Sequence, residues 1–227
     1  MHRKVLYLLA IAAIMNGPVG AKDESSELPP LLFDGATRVV AYFLESPRKE
    51  DRYLDRDGVE RAVGGRLLAS HPKDRSEIIY KKNLKIFARS EAPVAHSQIA
   101  NLRKALTEKK GSRAVMACYD PHHAMVFYDS EGEPVGCVEV CFSCNQVKVK
   151  PDFRDLDPRV DFMYDRSDFL AIGKIFRHAG IPLEPYTSIS ALKKGDKYWR
   201  DRCSAEIAKK LGEEDRSKKQ GVKSLAD

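Results

Sequence analysis

The sequence predicts an α+β fold, a mainly antiparallel sheet with a central β-hairpin packed by about three helices. Three observations predict it. Short β-branched and aromatic runs crowd the first two thirds of the chain. Two such runs, His123–Asp129 and Val135–Phe142, flank a turn-forming pentapeptide, Ser130-Glu131-Gly132-Glu133-Pro134. Apolar residues at helical spacing follow separately, which favours strands and helices in blocks over a βαβ alternation.

The chain opens with Arg3 and Lys4 before an apolar run, Val5–Met15, then Asn16-Gly17-Pro18 and the small residues Val19-Gly20-Ala21. That is the pattern of a cleaved export signal over residues 1–21, too short to span a bilayer. A secreted or periplasmic location in a bacterial envelope follows as the expectation. Residues 22–30, ending in two prolines, read as a polar linker. Residues 31–211 read as one α+β domain and residues 212–227 as a disordered charged tail. No later stretch is apolar enough to cross a membrane.

The formal charge of +6 is spread thinly, since Arg3 and Lys4 fall in the signal and Lys209–Asp227 carries six basic against four acidic residues. A basic stripe with interleaved aromatics is absent, so no nucleic-acid partner is expected.

Taken in order, Thr37–Leu44 (TRVVAYFL) is apolar on both faces and predicts an interior strand. The charged loop Glu50–Gly58 contains Asp55-Arg56-Asp57-Gly58, but setting Gly58 at the sixth position of a calcium loop puts Tyr53 first and Gly64 twelfth, where carboxylates are required. It reads as a turn. Val63–Ser70 and Asn83–Ala88 predict short strands, and Ile78-Ile79-Tyr80 fits strand or helix. Ser97 predicts the cap of a helix over Gln98–Lys109, with Ile99, Leu102 and Leu106 inward and Gly111 as its stop. Val147–Asp165, broken by Pro151 and Pro158, predicts an extended loop. Asp165 or Ser167 caps a second helix with Phe169, Ile172 and Phe176 on one face and Gly180 at its end. Lys197–Leu211 predicts a last helix, with Trp199 and Cys203 on one side.

The hairpin carries the chemistry. If Asp129 closes against Glu133 or Pro134, partners across the pair have position numbers summing to 262 or 263. Cys118, His122, His123, Cys141 and Cys144 then gather at the open end, with Pro121 bending the first strand. Three chemistries fit. A disulfide drawn from Cys118, Cys141 and Cys144 suits an oxidising compartment. Cys141-x-x-Cys144 with Cys118 and His122 or His123 could instead hold zinc, the one candidate cofactor. Thiol–disulfide exchange through Cys141 and Cys144 is a third, weakened because a strand or loop follows the motif where a helix would be expected. Glu139 shares a pleat face with Cys137 and Cys141 and reads as a solvated strand residue. Cys137 and Cys203 read as small apolar fillers. No catalytic residue is assigned, and the reading leans away from an enzyme.

At CYDPHHAMVFYD and PVGCVEVCFSCN the chain resembles a group of uncharacterised exported bacterial proteins. They share a Cys-aromatic-x-Pro-x-His start, a Phe-Tyr-Asp before the turn and a Cys-Phe-x-Cys finish. The helix end HAGIPL, His178–Leu183, is similar as well. The resemblance marks Cys118, Pro121, His123, Phe127, Tyr128, Asp129, Cys141 and Cys144 as one unit, and implies no activity.

Overall fold

The structure is a computed structural model that describes residues 32–54, 58–68, 78–108, 113–114, 119–154 and 164–203. The expected signal and linker, Asp55–Asp57, Gly111, Cys118, most of the Pro158 region, residues 204–211 of the expected last helix and the expected tail lie outside the described residues.

Five antiparallel strands form the main sheet: β1 (Arg38–Leu44), β4 (Ala88–Pro93), β6 (His123–Tyr128), β7 (Pro134–Cys141) and β8 (Gln146–Lys150), in the order β4-β1-β6-β7-β8. Two small antiparallel pairs stand beside it, β2 (Arg52–Leu54) with β3 (Glu60–Ala62), and β5 (Arg113–Ala114) with β9 (Tyr164–Asp165). The helices are α1 (Lys81–Phe87), α2 (His96–Thr107), α3 (Phe169–His178) and α4, residues 189–203. The fold is therefore α+β with a mainly antiparallel sheet. Among the described residues no helix is long and apolar enough to cross a membrane.

Pleat alternation divides the sheet into two buried faces. On one, Val39, Ala41, Met125, Phe127, Val138, Val140, Val147 and Val149 pack under Ile99, Leu102 and Leu106 of α2 and Phe169, Ile172 and Phe176 of α3. On the other, Tyr42, Leu44, Ala124, Val126 and Cys137 meet Leu67 and Ile79, with Leu84 and Phe87 of α1 behind them. Every residue of β6 is buried because its strand is central and both faces are covered.

Several expectations are corrected. Asn83–Ala88 is mostly helix α1, whose Leu84 and Phe87 lie three residues apart and so share one helical side. Residues 63–67 form no strand; Leu68 makes only an isolated bridge to Ile79. The N-cap of α2 is Ala95, with Ser97 already inside the helix. The start of Val147–Asp165 is the edge strand β8, not a loop, and Asp168 caps α3 by accepting from Ala171 N–H at 2.9 Å. The last helix begins earlier than Lys197.

Candidate functional site

The hairpin sets the site. His123 pairs with Val140, Ala124 with Glu139 and Val126 with Cys137, partners summing to 263 along β7 until a bulge near the turn. The Asp129 carboxylate fixes that turn by accepting from Glu131 N–H at 2.9 Å and Glu133 N–H at 2.8 Å, while Gly132 takes φ 86°. Tyr128 hydrogen-bonds Tyr42 at 2.8 Å through their hydroxyls, and Phe127 packs edge-on against Phe33. These two motif residues hold the hairpin in the sheet.

At the open end, β7 stops at Cys141 and the chain turns through Phe142–Asn145 into β8. Asn145 adopts φ 53°, the left-handed conformation that lets so short a connection reverse the strand. The turn folds back on the Cys141 sulfur. Cys144 N–H donates to it at 3.2 Å, Ser143 Oγ lies 3.3 Å away, and its own S–H reaches the Asp120 carbonyl at 3.2 Å. The Cys144 thiol hydrogen-bonds the same sulfur. That contact, helped by Ser143 and opposed by burial, pulls the Cys141 thiol below its ordinary range. The same contact together with burial pushes Cys144 up. Both thiols are buried, and neither Cys141 nor Cys144 is in a disulfide in this structure.

The two histidines part company. His122 lies with Cys141 and packs on Phe43; its Nδ1 faces the Asp120 carbonyl at 3.2 Å and its Nε2 the Ala62 carbonyl at 3.0 Å. His123 is on the opposite, helical face, fully buried among Phe43, Phe142 and Phe176. Its Nε2–H donates to the Pro182 carbonyl at 2.9 Å, while buried Nδ1 has no hydrogen-bond partner among the described residues. Burial pushes its pKa down to about 3. The alternation of side chains thus separates His123 from the thiol pair, which the gathering expected from register alone did not resolve. Among the described residues no three metal-ligating side chains converge.

Glu139 corrects a second expectation. It is 0 % exposed, because Tyr119 and residues 64–68 cover that face of β7. Its Oε1 accepts from Leu67 N–H at 2.5 Å and Leu68 N–H at 3.3 Å; its Oε2 accepts from Tyr119 Oη–H at 2.7 Å. Burial raises its pKa against these donors. Pro121 belongs to the same seam: its carbonyl accepts Gly65 N–H at 3.0 Å, and the Asp120 carboxylate accepts Gly64 N–H at 2.6 Å. A side chain at Gly64 would meet the Pro121 carbonyl, so glycine permits this approach.

Around Glu139 stand residues that sequence reasoning passed over. Lys148 is its partner across β7 and β8, and its ammonium sits 3.7 Å from the centre of the Tyr119 ring. The Arg66 guanidinium lies 5.1 Å from the same ring centre and donates to the Tyr119 carbonyl at 3.1 Å. The one signal for Lys148 was the alternation of Val147 and Val149 with Lys148 and Lys150.

Comparison with known proteins yields no match to a family model, a curated protein or a solved structure.

Proposed function

We propose that this is an exported α+β protein of unassigned activity whose hairpin end is closed by a disulfide drawn from Cys118, Cys141 and Cys144. The observation that carries this is the turn that folds Cys144 back on Cys141: the Cys144 N–H donates to the Cys141 sulfur at 3.2 Å, and Ser143 Oγ lies 3.3 Å from that sulfur and 3.7 Å from the Cys144 sulfur. In an oxidising compartment adjacent thiols pair by exchange with an external disulfide. Each sulfur gives up its proton, the new S–S bond takes their place, and the external disulfide is reduced to a dithiol.

Loop length separates the pairings. Bridging Cys141 to Cys144 closes a loop of about four residues, worth roughly 2 kcal/mol in the chain-entropy view. A bridge from Cys118 closes about 25 residues, worth roughly 3.5 kcal/mol. Thermal unfolding of the mature exported protein with and without reductant tests the staple. Reduction should lower Tm by about 5 °C for the short bridge and about 10 °C for the long one. An unchanged Tm refutes it.

Thiol–disulfide exchange is the second reading, favoured by the opposite shifts of the two thiols. A low-pKa Cys141 would attack and Cys144 would resolve. Catalysed turnover of a small disulfide by the reduced protein, lost in Cys141→Ser, would move the protein to this class. Zinc binding would draw on the sulfurs first, since both His122 ring nitrogens face carbonyl oxygens and His123 lies across the sheet. Stoichiometric zinc retained through purification would support it.

A further inference from the structure

The cleft beside Glu139 carries a pattern that the thiol chemistry does not use. It encloses about 250 Å³ between residues 66–68 and the edge strand β8, and its walls include Arg66, Tyr119, Glu139, Lys148, Asp152 and Arg154. Asp152 is already engaged, bound through both oxygens to the Arg154 guanidinium. Glu139, although opposite Lys148, spends its oxygens on Leu67, Leu68 and Tyr119. Lys148 is left without an ion pair or hydrogen bond among the described residues, half-buried with its ammonium over the Tyr119 ring. Arg66 approaches that same ring and likewise makes no ion pair among the described residues.

Two cations directed at one aromatic ring repel each other, and burial of one of them adds to the cost. Lys148 is held below the ordinary lysine range by burial first and by Arg66 second. Such a pair persists at low cost when an anion sits between its members. An oxyanion offers the geometry both need: oxygens for the forked guanidinium and for the ammonium as a point charge. The cleft is smaller than the 300 Å³ or more typical of pockets for drug-sized ligands, so it suits an oxyanion group with at most a small organic substituent.

We infer that this cleft binds phosphate, free or as a small phosphomonoester, between Lys148 and Arg66. Tyr119 forms the floor. Glu139 is a positioning residue: one oxygen fixes the backbone next to Arg66, and the other fixes the ring that both cations approach. The inference is independent of the redox state of Cys141 and Cys144.

The test is titration of the full mature protein with inorganic phosphate and with glycerol phosphate, at ionic strength held constant with chloride, followed by amide NMR shifts. Holding ionic strength constant removes general screening from the reading. The expected result is saturable binding with shifts around Lys148 and residues 66–68, weakened at least tenfold by Lys148→Met and by exposed Arg66→Gln. Arg89→Gln, exposed on β4 at the opposite edge of the sheet, should change it less than twofold. Equal affinity for the two probes would support a free oxyanion site, and tighter binding of the ester an oxyanion borne on an organic group. Absence of saturation with either probe, or equal loss in Lys148→Met and Arg89→Gln, overturns the inference.

Discussion

The main-chain N–H of Cys144 donates to the Cys141 sulfur at 3.2 Å, so the turn that ends the hairpin also supplies the polar environment of its first thiol. Cys141 gains further from the Cys144 thiol and Ser143, whereas Cys144 is left as the donor. In the reduced protein, limited alkylation near neutral pH should therefore modify Cys141 before Cys144, at a slow rate because both are buried. Ser143→Ala removes one donor worth about 1 kcal/mol and should slow Cys141 by roughly two- to tenfold. Peptide mapping of partly alkylated protein reads the order, and modification of Cys144 first would contradict it.

His123 predicts acid sensitivity. Its ring is depressed from 6.5 to about 3 on folding. The neutral ring's contribution is thus complete above pH 6.5 and is lost as pH falls toward 3, at about 1.4 kcal/mol for each pH unit crossed. Urea unfolding should show stability falling by several kcal/mol across that window. His123→Gln, which keeps a donor for the Pro182 carbonyl, should remove most of that slope. An unchanged slope in the variant would count against it.

Glu139 acts in the opposite sense. Its folded pKa is raised above 4.5, mainly by burial, so its contribution is complete below 4.5 and lost as pH rises through the folded value. Relative to the parent, Glu139→Gln should gain stability progressively as pH rises above about 4.5, with the smallest gain at the acid end. Denaturant midpoints at several pH values check this, and a pH-independent difference would exclude it.

Gly64→Ala should disturb the seam that joins residues 64–68 to the hairpin end. Its Cβ would lie 2.3 Å from the Pro121 carbonyl oxygen, a backbone atom with no rotamer to yield. A loss of roughly 1–3 kcal/mol is expected. Asp120, whose carboxylate accepts Gly64 N–H, should shift with it and alter Cys141 reactivity. Wild-type Tm and wild-type Cys141 reactivity together in the variant would show that the seam is slack.

Much of the hairpin was legible, because two β-branched and aromatic runs flank the Asp129–Glu133 turn, and that turn fixes register locally. The inner faces of α2 and α3 were legible for the same local reason, through Ile99, Leu102, Ile172 and Phe176. Strand β4 was not, since Ala88–Pro93 is a largely exposed edge whose Arg89, Ser90 and Glu91 carry no apolar alternation. Asn83–Phe87 is short and rich in strand-compatible residues, and packing of Leu84 and Phe87 under the sheet decides for helix. The burial of Glu139 depends on Leu67 and Tyr119, distant in sequence from it, so pleat parity gave its face but not its cover. Parity also separates His123 from Cys141, a distinction invisible to reasoning that places both at one end of a hairpin.

The proposed closure of the hairpin end is tested most directly by the intact mass of the protein recovered from an oxidising compartment, denatured and alkylated without reductant. A mass lower by one hydrogen pair, with two of Cys118, Cys141 and Cys144 protected from alkylation, is the predicted result. Full alkylation of all three, at the mass of the reduced chain, would contradict it.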